Sequence, residues 1–156
     1  AVPLVCFLLY TGEGQLLSGI LYTYNQDALR LSQTVVGKDD RVLAKTLYDW
    51  EGPQLLKTRL LDPVGGLVAY SLFRYDKNGN VSRQDYYNSE DLLLRSELHS
   101  YEGDKMLGTI RLDSKGDTLI SYAYEYGEFG EIQKKKVNNS ITDTKYSLNY
   151  EYSFRE

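Results

Sequence analysis

Six tyrosines recur at nearly equal intervals along the 156-residue chain, Tyr24, Tyr48, Tyr75, Tyr101, Tyr126 and Tyr150, with gaps of 24, 27, 26, 25 and 24 residues. Halfway between them stand Tyr10, Val36, Leu61, Tyr87, Leu112 and Val137, so the elementary unit is about 12 to 13 residues and the full period is two units. A short fixed period marks an array in which each unit is one supersecondary element that buries its apolar side against its neighbours. Such a period declares shape plainly and biochemical task poorly.

The unit is read best at Tyr75-Asp76-Lys77-Asn78-Gly79-Asn80-Val81, where an aromatic ends an extended run, a polar turn follows and a β-branched residue restarts the run. Asn-Gly is a hairpin signal because both residues tolerate positive φ. The same plan recurs at Tyr48-Asp49-Trp50-Glu51-Gly52, Leu61-Asp62-Pro63-Val64-Gly65, Leu112-Asp113-Ser114-Lys115-Gly116 and Tyr126-Gly127-Glu128-Phe129-Gly130. The aspartate after the anchor is placed to accept a turn N–H. Degenerate copies follow Tyr10, Tyr24, Val36, Tyr87, Tyr101 and Val137.

Between turns the chain reads as strand. Leu119–Tyr126 and Tyr146–Phe154 alternate apolar and polar with period two. Leu67–Phe73 is apolar at both parities and predicts cover on both faces, whereas Gln133–Lys136 is polar at both and predicts a wet stretch. The fold class expected is all-β: an antiparallel meander of about 11–12 short strands in an extended, twisted repeat sheet, single-layer or curling, forming one β-repeat domain over residues 1–156 or a fragment of a longer chain. Fifteen tyrosines supply large amphipathic contacts to such a sheet.

Composition narrows the function classes. A net charge of −4 argues against a nucleic-acid groove, and no run approaches the roughly 18 apolar residues of a membrane-spanning helix. Cys6 is the single cysteine and reads as a buried structural thiol. The opening Ala1-Val2-Pro3-Leu4-Val5, without methionine, reads as a processed form or a fragment. The first run is almost wholly apolar, which for a sheet edge predicts cover across Leu4, Val5, Phe7, Leu8 and Leu9 by a partner chain, a preceding domain of the same protein or a second copy.

No residue constellation points to catalysis, a metal or a cofactor. His99 is the only histidine and has no orienting partner or nucleophile near it in sequence. The acid pairs Asp39-Asp40 and Glu90-Asp91 fall in expected turns, and Asp76-Lys77-Asn78-Gly79 lacks the later ligands of a calcium loop. Lys134-Lys135-Lys136 reads as a solvated strand that discourages edge pairing. The candidate binding residues are the six anchors Tyr24, Tyr48, Tyr75, Tyr101, Tyr126 and Tyr150 together with Trp50, whose indole in an expected turn requires cover. Cross-strand aromatic pairing, at about 0.2–1 kcal/mol per pair, accounts for a tyrosine ladder without any ligand.

The pattern Tyr75-Asp76-x-x-Gly79-x-Val81, with weaker copies at Tyr48-Asp49-x-x-Gly52 and Leu112-Asp113-x-x-Gly116-x-x-Leu119, resembles the tyrosine-aspartate (YD or RHS) repeats of bacterial surface and toxin proteins. The resemblance covers about Tyr10 to Val137 and implies a long antiparallel hairpin sheet, exported from a bacterium and acting as shell, spacer or adhesive surface. It brings no catalytic residues. A second likeness, in architecture alone, is to the single-layer repeat sheets of spirochaete outer-surface lipoproteins. The expected function is a non-enzymatic scaffold or protein-binding component of a bacterial extracytoplasmic assembly, docking another protein or a second copy through the apolar first strand. The alternatives are a carbohydrate-binding or host-adhesion module and a piece of a toxin-enclosing shell. The expected location is periplasmic, extracellular or on the cell surface.

Overall fold

The computed structural model describes residues 4–152, without the side chains of Leu4, Val5 and Asp39. Ser153 and Phe154, placed in the last expected strand, lie outside the described residues. Twelve strands form the fold: β1 Leu4–Tyr10, β2 Leu16–Tyr24, β3 Arg30–Gly37, β4 Val42–Glu51, β5 Gln54–Leu61, β6 Leu67–Tyr75, β7 Val81–Asn88, β8 Leu93–Glu102, β9 Lys105–Asp113, β10 Thr118–Tyr126, β11 Ile132–Asn139 and β12 Thr144–Asn149. Their order in the sheet is their order in the chain, and they are antiparallel, as the alternating runs and evenly spaced turns predict. One 3₁₀ turn, Lys38–Asp40, is the only helical element among the described residues, and none of these residues forms a helix able to cross a membrane.

The chain divides into two compact units, Ala1–Phe73 with Tyr86–Leu92, and Arg74–Asp85 with Leu93–Glu156. In the first unit Tyr22, Gln33, Thr46, Leu60 and Ala69 stand opposite one another on β2 to β6, and Thr23, Ser32, Leu47, Arg59 and Tyr70 form the adjacent row on the other face. In the second unit Thr109, Tyr122, Val137 and Tyr146 share one face and Gly108, Ala123, Lys136 and Ser147 the other. Opposed residues of antiparallel strands project to the same side, so these rows define what each face presents.

Few side chains are fully buried. Among the described residues only Val36 and Val137, each 4% exposed, are buried hydrophobics, while Ser32, Ser71, Asp85 and Ser96 are buried polar groups. A single sheet layer has no second layer to pack against, which explains this inversion of the usual core. The same reasoning corrects two expectations. Cys6 is exposed on β1 and not buried, because among the described residues that strand has a single neighbour, β2. Leu67 and Val68 remain exposed, so the both-face cover expected of the Leu67–Phe73 run is missing at its start.

The turns follow one design with a difference from the sequence expectation. At Asp76 the main-chain N–H donates to the Asn80 carbonyl at 2.8 Å, Gly79 N–H donates back to Asp76 O at 3.1 Å, and the carboxylate accepts from Asn78 N–H at 2.8 Å and Asn80 N–H at 2.9 Å. Gly79 has φ +87°, whereas Asn78 is not in the positive-φ region. The hairpin is therefore a three-residue loop closed by a glycine bulge, and not the two-residue Asn-Gly turn in which both residues have positive φ. The Asp76 carboxylate selects it by gripping the turn from within. Asp62 and Asp113 repeat the arrangement with Gly65 and Gly116 in the positive-φ position, and Asn25, with Ala28 at φ +61°, is a glycine-free copy.

Tyr48-Asp49-x-x-Gly52 is not such a copy. β4 continues through Glu51 and reverses over two residues, Gly52 and Pro53, with Gly52 at φ +54°. Asp49 is a strand residue opposite Lys57, and its carboxylate is held by Arg59 at 2.9 and 3.1 Å. Trp50 also lies in the strand and not in a turn. The final strand ends earlier than expected, at Asn149, although Tyr150 N–H still donates to Gln133 O at 2.9 Å.

Candidate binding site

The ladder shifts register just before Tyr10, Tyr24, Val36, Trp50, Leu61, Tyr101 and Tyr126. The anchors thus mark β-bulges, where an extra residue leaves a ladder group unpaired. Three aromatic anchors repair that defect with the same reach. Trp50 Nε1–H donates to Arg30 O at 2.7 Å, Tyr126 O–H to Met106 O at 2.7 Å and Tyr152 O–H to Ile132 O at 3.0 Å, each spanning 20 residues. Trp50 and Tyr152, not Tyr48 and Tyr150, therefore belong to the series. With that correction the series Tyr24, Trp50, Tyr75, Tyr101, Tyr126, Tyr152 has gaps of 26, 25, 26, 25 and 26 residues. Tyr48-Asp49-x-x-Gly52 imitates the motif in composition, but its two-residue turn moves the bulge two positions along the strand.

Three of the candidate residues meet in the first unit. Tyr24, Tyr48 and Trp50, with Ala28, Leu29, Arg30 and Leu55, line an open cleft of about 270 Å³. Arg30 starts β3 opposite Tyr24 and is the residue that the sequence reading missed. Its guanidinium carbon lies 4.6 Å from the Tyr22 ring centre and 5.6 Å from that of Tyr48, a cation–π arrangement. Hydrogen bonding to Tyr48, then to Tyr24, raises its pKa above the ordinary arginine value against the opposing effect of burial. The Arg30 Nε atom is buried without an acceptor. The available signal was weak: an arginine entering a strand that faces two tyrosine-rich strands.

The remaining candidates are dispersed. Tyr126 is committed to the Met106 carbonyl, Tyr75 and Tyr101 are half-buried at the ends of β6 and β8, and Tyr150 is exposed beyond β12. On β1, Phe7, Leu8 and Leu9 are exposed, Phe7 at 68%. Elsewhere in the first unit Tyr70 and Tyr87 stack at 4.8 Å with Lys57 Nζ 4.2 Å above Tyr70, so cross-strand packing accounts for them.

The second unit holds a shallow groove of about 680 Å³ over Ser100, Gly108, Ile110, Ala123, Asn138 and Lys145. Small side chains open it: a Cβ on Gly108 would lie 2.7 Å from Tyr122 O, so nothing larger fits there without a shift. The lysine run is partnered and not simply solvated. Lys135 Nζ sits 4.4 Å from the Tyr122 ring centre, and Lys136 pairs with Glu125.

The most buried group of the second unit is charged. Asp85, 1% exposed, accepts from Ser96 Oγ at 2.6 Å and Arg83 Nε at 2.8 Å, and Arg74 lies 3.4 Å from its second oxygen. Burial pushes its pKa up, but Ser96, Arg83 and Arg74 together outweigh that and hold it below the usual carboxylate range. Arg83 and Asp85 at one parity of β7 were the sequence signal for this cluster. His99 bonds Thr109 Oγ1 at 3.0 Å through Nδ1, and burial lowers its pKa against the opposing effect of Glu97.

No family model matches the chain, and no curated protein does. Among solved structures the TcdB2-TccC3 crystal structure matches at TM-score 0.56 and 16% identity over 94% of this chain, which spans 9% of that one. A porin-like protein from Bacteroides uniformis matches at TM-score 0.55 and 11% identity over 92% of this chain and 57% of its own. At such identities the likeness is one of fold. The YD/RHS-like hairpin array read from the motifs is the fold that the structure and the TcdB2-TccC3 match share.

Proposed function

We propose that this chain is a non-enzymatic β-repeat module that serves as a scaffold or protein-binding part of a bacterial extracytoplasmic assembly. The observation that carries the reading is β1, which lies at the edge of the described sheet and presents Phe7, Leu8 and Leu9 uncovered by any described residue. An exposed apolar edge is a template for another strand, and proteins without a partner blunt such edges. The fold shared with the much longer TcdB2-TccC3 chain, a toxin component pair in this reading, supports a structural role and a secreted or surface location. Cys6, exposed on the same strand, provides the test. A photo-crosslinker attached there in the source bacterium is expected to join the chain to one defined protein, or to a second copy, in the extracytoplasmic fraction. Replacing Phe7 and Leu9 by lysine is expected to abolish the product with unchanged circular dichroism. An uncrosslinked chain in the cytoplasm would overturn the proposal.

A carbohydrate-binding or adhesion reading has one observation in its favour, the aromatic cleft that joins Tyr24, Tyr48 and Trp50. Flat apolar rings beside polar donors suit a sugar ring.

A further inference from the structure

We propose that the Arg30 cleft takes the carboxylate of an acidic sugar, a uronic acid unit of a glycan; this rests on the carbohydrate reading above and names its ligand class. Arg59, Arg74, Arg83, Arg95 and Arg111 each face a carboxylate, whereas Arg30 and Arg41 pair with none among the described residues, and of these two Arg30 lines the cleft. Among the described residues its guanidinium meets the ring faces of Tyr22 and Tyr48. Its Nε–H is buried without an acceptor and out of a ligand's reach, so a carboxylate in the cleft meets the outer edge of the guanidinium. A guanidinium held between aromatic rings keeps its fork oriented, the geometry that carboxylates match in bidentate fashion.

The rest of the cleft suits a ring more than a bare anion. The Trp50 indole N–H is already spent on the Arg30 carbonyl, so what it offers a ligand is its face. Leu29, Leu55 and Ala28 complete an apolar wall, and about 270 Å³ is room for one sugar unit. One ligand satisfies both halves: a pyranose whose C–H face packs on the aromatics while its carboxylate meets Arg30.

Trp50 is the only tryptophan, so its fluorescence reports on this cleft alone. Titration of the whole chain with methyl glucuronide and methyl glucoside compares ligands that differ only in the carboxylate. The glucuronide is expected to bind about tenfold more tightly, as one charge-assisted hydrogen bond gives, with the preference shrinking as salt rises. Ala28 lines the cleft at φ +61°, a conformation that aspartate and asparagine both tolerate. Ala28→Asp, which supplies an internal carboxylate, is expected to erase the preference with unchanged circular dichroism. Equal binding of the two sugars would overturn the acidic-sugar inference and leave the carbohydrate reading standing. No binding of either would overturn both. Acetate binding as tightly as the glucuronide would remove the sugar from the assignment, and a preference that survives in Ala28→Asp would remove it from this cleft.

Discussion

At the scale of single residues, the repeat is held by backbone conformation more than by packing. Gly79 sits at φ +87° with nothing within 4 Å of where a Cβ would be, so any penalty for a side chain there is conformational and not steric crowding. Gly79→Val is expected to cost about 2 kcal/mol, since a β-branched residue is poorly tolerated at positive φ. Ala28 is the converse case, a non-glycine in the position that glycine fills in neighbouring turns. Ala28→Gly is expected to stabilise the fold by about 0.5–1 kcal/mol, the left-handed penalty relieved less the entropy that glycine loses. Urea melts of the two variants check both signs. The Tyr-Asp-x-x-Gly pattern made the Asp76 and Asp113 turns legible. It misled at Tyr48, because only the hydrogen bonds of the folded strand reveal that Trp50 occupies the bulge.

At the scale of elements, neighbouring strands are joined by polar clusters where a two-layer protein would use apolar ones. Asp85 on β7 links Ser96 on β8 to Arg74 on β6. Asp85→Asn removes the charge and keeps the shape, and is expected to cost about 1–3 kcal/mol, because two arginines lose their carboxylate partner. The same group sets an acid limit. Unfolded Asp85 takes up its proton near pH 4, and the folded group only at a lower pH, so its contribution is complete above about pH 4 and is lost as the pH falls through the folded value. His99 adds an earlier leg of the same sign: its folded pKa is depressed, so stability is complete above about pH 6.5 and declines below it. Thermal melts from pH 7 to 3 are expected to show both losses. The later one should shrink in Asp85→Asn, with Asp76, Asp113 and Glu125, whose carboxyls are also held low, carrying the remainder, and the earlier one should vanish in His99→Gln. Clusters of this kind leave faint sequence traces, since parity places Arg83 beside Asp85 but says nothing of Ser96 across the strand boundary.

At the scale of the whole molecule, each strand draws its contacts from the strands on either side, so stability is nearly a sum of local terms. Truncation after Ser140, which removes β12, deprives only β11 of a partner. The shortened chain is expected to keep most of its β circular dichroism and to resist limited proteolysis up to β10. Complete unfolding would point to one cooperative core and against an array.

The all-β meander, its strand count and its direction of travel were written in the order of residues, because a period of about 25 and an alternation of two are local properties that no distant contact can alter. The exposure of Cys6, the buried Asp85 and the meeting of Trp50, Tyr24 and Tyr48 around Arg30 were not. Each depends on register and bulges, where a shift of one residue turns a side chain to the opposite face, and register is settled by hydrogen bonds between segments that the sequence keeps apart.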